Sequence, residues 1–261
     1  MDIVIIGAGN VATHLAIAMK KAGHAVIQVY SRTEVSAKKL ASELQCGSTS
    51  DFADVDKCAD VYVVSVVDSA LTDVAKNINS INPGALWVHT SGSMPLDTLK
   101  CRRRGVLYPL QTFSIKHSLD TTQIPFFIES NSNKDLEQLS SLAHSISENV
   151  SILDSEKRRQ IHLAAVFCCN FVNHCCSLAD NILKSADQSF SVMLPLLEET
   201  ISKLHELTPL NAQTGPAVRY DKNVIEKHLS MLNGNKSMQN IYSVMSDSIH
   251  ELHNNSKENQ Q

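Results

Sequence analysis

Six consecutive residues, Gly7-Ala8-Gly9-Asn10-Val11-Ala12, have the spacing of a turn that grips a phosphate. In a G-x-G-x-x-A run the first glycine permits a tight turn and the second leaves room for a pyrophosphate to approach the backbone. The closing small residue lets a helix pack near a strand. The pattern has this meaning only between a strand and a helix. Asp2 to Ile6 is a short β-branched apolar run, and Asn10 to Ala22 has helical spacing ended by Gly23. The free N–H groups and positive end of that helix would then face the anion. Gly7, Ala8, Gly9, Asn10 and Val11 are therefore expected to bind a dinucleotide.

The end of the next strand selects between the two nicotinamide cofactors. NAD proteins place Asp or Glu there to bind the ribose hydroxyls. Here the chain reads Val29-Tyr30-Ser31-Arg32-Thr33, with no carboxylate before Glu34. A guanidinium matches a phosphate bidentately, and a carboxylate in its place would repel one. Ser31, Arg32 and Thr33 thus predict a 2′-phosphate, and hence NADP. Ser31 or Thr33 is also expected to cap the helix that follows.

Further polar groups stand at later strand ends, where open α/β sheets bind ligands. Ser65 and Val66 would pass the ribose or nicotinamide. Thr90 and Ser91, after the strand ending at His89, would face the nicotinamide side. Gln111, in the segment Tyr108-Pro109-Leu110-Gln111-Thr112-Phe113, would reach substrate. A long helix later in the chain puts His162, Asn170, Asn173, Ser177 and Asp180 on one line at 100° per residue. Beside it runs an apolar stripe of Ile161, Ala165, Cys168, Val172, Cys176, Ala179 and Leu183. His162 can supply a proton near neutrality, so His162 and Asn170 are the expected catalytic pair. Asn173 and Arg219 are candidate substrate contacts, although Arg219 could instead pair with Asp221.

These residues need a frame. Strand signals at residues 2–6, 25–30, 61–67, 85–89, 105–108, 125–129 and 150–153 alternate with helices at 10–22, 33–44, 68–78 and 134–147. The nearly continuous valines from Val61 to Val67 mark a strand covered on both faces. The expected fold is a doubly wound parallel sheet over residues 1–153. An all-helical domain over residues 154–261 follows, with helices at 154–184, 188–206, 221–232 and 236–252. The polar tail 253–261 is expected to fray.

Composition narrows the classes further. The chain has 261 residues, 43% hydrophobic and 19% charged, with formal net charge −4. That is globular, and the one basic block, Lys100 to Arg104, reads as a solvated turn, so nucleic acid is not expected as a partner. No secretory leader is read at the start and no stretch reads as a membrane span. Seven cysteines, an odd number, argue against a disulfide framework and for free buried thiols in a reducing cytoplasm. Cys168, Cys169, Cys175 and Cys176 lack metal-site spacing, and no metal is expected.

The segments taken together resemble a known family. Gly7-Ala8-Gly9-Asn10-Val11-Ala12, Tyr30-Ser31-Arg32, His89-Thr90-Ser91-Gly92, Pro109-Leu110-Gln111-Thr112-Phe113 and Thr214-Gly215-Pro216 are similar to those of a bacterial family. Its members join a Rossmann-like NADP-binding domain to a helical C-terminal domain of unknown function. More distantly the chain resembles pyrroline-5-carboxylate reductase, β-hydroxyacid dehydrogenases, ketopantoate reductase and deazaflavin-dependent NADP oxidoreductases. The resemblance implies a helical domain like that of 6-phosphogluconate dehydrogenase and a homodimer formed through it. It also implies reduction of a small C=O or C=N substrate by hydride transfer from NADPH. Three departures stand against it: Tyr220 where the family loop has glycine, Tyr108 where it often has histidine, and no Lys–Asn pair on the long helix. The alternative expectation is a protein that binds NADP without catalysis, as a sensor or partner subunit.

Overall fold

The computed structural model describes residues 1–258. The chain divides into two compact units, Met1–Phe171 and Val172–Gln261.

The first unit is built on an eight-stranded sheet. Its strands are β1 (Asp2–Ile6), β2 (Ala25–Tyr30), β3 (Gly47–Thr49), β4 (Val61–Val64), β5 (Leu86–His89), β6 (Arg104–Pro109), β7 (Phe126–Ser130) and β8 (Val150–Ile152). They lie in the order β3-β2-β1-β4-β5-β6-β7-β8. All neighbours are parallel except β6 and β7. The order reverses direction between β1 and β4, which is the switch point where such sheets bind ligands. Helices α1 (Asn10–Lys21), α2 (Glu34–Leu44), α3 (Asp68–Ile81) and α4 (Asn133–His144) connect the strands.

Side-chain alternation along β1 and β4 feeds two cores. Ile3, Ile5, Val61 and Val63 face one, while Val4, Ile6, Tyr62 and Val64 face the other. Both faces are covered, as the valine run predicted. Trp87, the only tryptophan, is fully buried on β5. Its ring stacks on Tyr62 with centroids 4.1 Å apart, and its Nε1 donates to the Asn82 carbonyl at 2.8 Å.

After β8 the chain is helical: α5 (Ser155–Ala165), a π-helical stretch (Val166–Phe171) and α6 (Val172–Lys184) form one run. It is followed by α7 (Leu194–Lys203), α8 (Pro209–Ala212), α9 (Pro216–Arg219), α10 (Lys222–Met231) and α11 (Lys236–Glu258). Among the described residues of the second unit only Ala217, Met238 and Ser246 are buried. Large apolar side chains such as Val172, Leu196, Ile201 and Met231 are exposed.

Several expectations are corrected. The sheet carries an extra edge strand, β3, too short and too polar to show a period, and β7 runs antiparallel to β6. Thr33 occupies the cap position of α2 but does not cap it; its hydroxyl donates to Ser36 Oγ at 2.7 Å. Arg103 and Arg104 are not simply solvated. Arg103 pairs with Asp135 at 2.7 Å and Arg104 with Asp97 at 2.6 Å, fixing the chain before β6. By length and composition alone the run Ser155–Lys184 is long enough to cross a membrane, and an 18-residue window of it, at a mean hydropathy of 1.4, is apolar enough, contrary to the sequence expectation. Cys168, Cys169 and Cys175 are exposed and Cys176 half-buried, because the described chain alone supplies no core around them. The π-helical stretch breaks the stripes drawn along this run, since each i→i+5 turn takes up one residue more than an α-turn. Finally, α11 extends through Glu258 instead of fraying at 253; residues 259–261 of that expected tail lie outside the described residues.

Candidate cofactor and catalytic site

The glycine turn has the form its sequence predicts. Gly7 has φ +123°, a conformation that L side chains rarely adopt. Its N–H donates to the Tyr30 carbonyl at 2.8 Å. A Cβ at Gly7 would lie 2.0 Å from the Ser65 carbonyl oxygen, because the end of β4 crosses directly behind the turn. Gly9 caps α1 without a side chain, and a Cβ there would meet nothing within 4 Å. The first N–H groups of α1 therefore open onto free space. Ala8 and Val11 line the same turn, and Asn10 Nδ2 donates to the Phe113 carbonyl at 2.9 Å, bracing the start of α1.

A cleft of about 390 Å3 runs from this turn over the end of β2. Gly7, Gly9, Tyr30, Ser31, Arg32 and Thr33 line it, joined by Ser36, Phe52 and Val66. The Tyr30 and Phe52 rings stack at 4.1 Å and close its floor. Arg32 is exposed, and among the described residues no ion pair engages it. The first carboxylate after the strand, Glu34, is turned to Lys38 at 2.6 Å. Asp73 also lines the cleft but is paired with Lys76 at 2.8 Å, so the end at Arg32 offers a free guanidinium among hydroxyls, and α2 begins with no side-chain cap on its N–H groups. That chemistry fits a 2′-phosphate, and the open space at Gly9 fits a pyrophosphate.

A second chamber, of about 380 Å3, continues past Gly9 along the carboxyl ends of β4, β5 and β6. Ser65, Val66, Thr90, Ser91, Gln111 and His162 all line it, as do Asp68, Gly92, Tyr108 and Phe113. Thr90 Oγ1 donates to Ser65 Oγ at 3.2 Å, linking two strand ends. Ser91 is half engaged in its own turn, where its hydroxyl accepts from the N–H groups of Ser93 and Met94. Asp68, at the start of α3, accepts a hydrogen bond from the Ser93 hydroxyl.

At the chamber's inner end the Tyr108 hydroxyl lies 2.9 Å from Nδ1 of His162. The rings meet edge to face, 5.8 Å between centroids. Gly92 makes the meeting possible: a Cβ there would sit 2.6 Å from His162 Nδ1 and 2.8 Å from a Tyr108 ring carbon. Burial pushes the Tyr108 phenol up to about 12, against a smaller downward pull from the Arg158 guanidinium. Tyr108 therefore stays a phenol. Its hydroxyl can donate to Nδ1 of a ring that carries its proton on Nε2, or accept from a ring protonated at Nδ1. Behind the strand end, burial and then the Arg158 charge push His89 down to about 4. His89 is a neutral structural ring whose Nδ1 accepts the Ser91 N–H.

Of the sequence candidates, the structure gathers the glycine turn, Ser31 to Thr33, Ser65, Val66, Thr90, Ser91, Gln111 and His162 along one groove of the first unit. Asn170 is exposed in the π-helical stretch and does not line the chamber. Asn173 and Arg219 are exposed residues of the second unit. Asp221, the alternative partner of Arg219, caps α10 through the Val224 N–H. Sequence reasoning did not assign Tyr108, Gly92, Ser36, Phe52 or Asp68. Tyr108 had a signal, since a phenol sits at a strand end where the resembling family often has histidine.

Comparison with known proteins agrees with this architecture. Residues 1–112 match a Rossmann-like domain, and residues 124–249 match a domain of unknown function, DUF2520. A Bacteroides fragilis protein provisionally described as an NADP oxidoreductase is 48% identical, with a TM-score of 0.92 over 96% of this chain and 98% of its own. The 1-pyrroline-5-carboxylate reductase of Streptococcus pyogenes has a TM-score of 0.64 at 14% identity, covering 96% of this chain and 98% of its own. An imine reductase of Myxococcus stipitatus, in complex with NADP+, has a TM-score of 0.64 at 14% identity, covering 99% and 94%. The last two speak to the fold alone. No curated protein matches the sequence.

Proposed function

The chain belongs to the family that joins a Rossmann-like domain to DUF2520, and from that premise we propose that it is an NADP-dependent oxidoreductase acting on a small C=O or C=N compound. The observation that carries the proposal is the Tyr108–His162 pair at the inner end of the groove that begins at Gly7. A protein that only binds the dinucleotide has no use for a hydrogen-bonded imidazole there, so catalysis is favoured over the sensor reading. The 48% identical relative, described as an NADP oxidoreductase, supports the same choice.

Gly7, Ala8, Gly9, Asn10 and Val11 would hold the pyrophosphate, and Ser31, Arg32, Thr33 and Ser36 the 2′-phosphate. Ser65, Val66, Thr90 and Ser91 would border the nicotinamide end. The bound cofactor supplies a hydride. His162 supplies the proton: its protonated ring releases the Nε2 proton to the substrate's oxygen or nitrogen, and the Nδ1 proton stays directed at Tyr108 Oη. Tyr108 can accept in that state and donate in the neutral one, so it keeps the ring aimed throughout. Gln111, which lines the chamber, is proposed as a substrate contact.

The helical unit is proposed to complete itself as a homodimer. Ordering a residue's backbone costs about 1–2 kcal/mol, and burying one large apolar side chain returns about 1.5–3 kcal/mol. A unit in which only Ala217, Met238 and Ser246 are buried among the described residues needs a partner surface, and the exposed apolar face of Ser155–Lys184 offers one. That face is proposed as a subunit contact rather than a membrane span. Seven free thiols support a cytoplasmic setting. Light scattering in detergent-free buffer should give twice the 28.7 kDa chain mass; a monomer, or material soluble only in detergent, defeats this part.

The activity is tested by following NADPH absorbance with a panel of imines, aldehydes and keto acids. Oxidation of NADPH with an imine or carbonyl, abolished in His162→Gln, is expected. Tight NADPH binding with no oxidation across the panel would return the sensor reading.

A further inference from the structure

Arg158 is a charged side chain with no exposed surface, in the first turn of α5. A buried guanidinium is costly to desolvate unless it is paired and hydrogen-bonded, and an apolar side chain of similar volume often serves stability as well or better. Its partners therefore matter more than its burial. Nη1 binds Glu129 on β7. Nη2 donates to the Met94 carbonyl at 2.6 Å and to Ser155 Oγ at 3.2 Å. Ser155 Oγ donates in turn to Glu129 at 2.7 Å and accepts the Leu96 N–H at 2.9 Å.

Three segments that share no local sequence are joined at this one group. The first is the loop after β5, which carries Thr90, Ser91 and Gly92 and is held at Met94 and Leu96. The second is the end of β7, and the third is the start of α5. His162 lies four residues after Arg158, on the same face of α5. Its ring is confined between Gly92 and Tyr108. One of those walls belongs to the loop that Arg158 holds, and the ring itself rides on the helix that Arg158 anchors.

We propose that Arg158 is a positioning residue, which fixes the His162 ring against Tyr108 by tying the Thr90–Leu96 loop to the first turn of α5. Arg158 itself stays clear of substrate and cofactor. The inference rests on the reading of His162 as the proton donor, but the geometry it asserts exists with or without turnover.

The test is a two-bond 1H–15N correlation spectrum of the full chain with 15N-labelled histidine, at alkaline pH where histidine rings are neutral. The His162 signal is assigned by its absence in His162→Gln. The wild type should show one tautomer, protonated at Nε2. In Arg158→Met the signal should move to the averaged pattern of two tautomers, while the NADPH dissociation constant stays within about twofold. Arg158→Lys keeps the charge and loses the fork, and should fall between the two. If Arg158→Met does not fold, Glu129→Gln, which leaves the guanidinium without its carboxylate, should show the same mixing. A single Nε2–H tautomer retained in Arg158→Met, or in Glu129→Gln where the former fails to fold, overturns the proposal. So does a mixed tautomer in the wild type. Absence of turnover across the substrate panel would defeat the functional reading and leave this spectrum unaffected.

Discussion

The Tyr108 hydroxyl and His162 Nδ1 stand 2.9 Å apart although 54 positions separate them in the chain. Their pairing gives the first prediction. Tyr108→Phe keeps the ring and removes the hydrogen bond, whose net worth is about 0.5–1.5 kcal/mol. Turnover should fall roughly threefold to tenfold with the NADPH KM unchanged. Steady-state kinetics check this, and an unaltered kcat would show that the phenol plays no part in aiming the ring.

Gly92→Ala should be far more damaging than its size suggests. The added methyl would occupy space 2.6 Å from His162 Nδ1, so the ring must move away from Tyr108. A misplacement of about 1 Å costs on the order of 100-fold in rate, and overpacking costs about 1–3 kcal/mol in stability. The expected result is a folded, cofactor-binding protein that has lost most of its turnover. Wild-type turnover in this variant would mean that the His162 ring has no need of its place.

Arg32→Ala separates the two nicotinamide cofactors. A charge-assisted hydrogen bond to phosphate is worth about 1.5–3 kcal/mol, so NADPH should bind roughly 10- to 100-fold more weakly. NADH should change by less than about twofold. Titration by protein fluorescence or calorimetry reads both constants, and a parallel loss for both cofactors would remove the 2′-phosphate from this end of the cleft.

His89 links stability to pH. Its folded-state value of about 4 lies below the ordinary 6.5, because burial disfavours the charged ring. On acidification the unfolded chain takes up the proton first, so this stabilisation is complete above pH 6.5 and is lost as pH falls toward 4. The single group contributes at most ~3 kcal/mol. Urea unfolding at pH 7 and pH 4.5 should show wild type losing about 2–3 kcal/mol more than His89→Gln. Equal losses would place the His89 proton elsewhere.

The sequence is most informative where local chemistry and local structure coincide. Gly7 to Ala12 is legible as a turn from strand to helix, since the strand end, the glycine turn and the helix start are one continuous segment. The place of Ser31 to Thr33 on the cleft is legible in the same way, because they directly follow a strand that ends at Tyr30. His162 was found as a residue type, but its partner was not, because Tyr108 meets it only after β6 and α5 have been placed. Gly92 gave no signal as a glycine in a polar turn; its role depends on two rings that arrive from elsewhere. The stripe through Asn170 assumed an unbroken α-helix, and no residue from Val166 to Phe171 announces the π-helical turns. Arg158 reads as one more charge in the first turn of a helix, and only tertiary packing takes it out of water.

Trp87 has a use in the laboratory that follows from where it sits. As the chain's single tryptophan, sealed in the sheet against Tyr62, it makes intrinsic emission a report on the first unit alone. Far-UV circular dichroism, by contrast, is weighted toward the helices that fill the second. Recorded side by side during denaturation, the two signals follow the nucleotide-type sheet and the helical unit as separate events. Varying protein concentration should then displace the dichroism curve and leave the emission curve where it is, if the helices owe their order to a second copy.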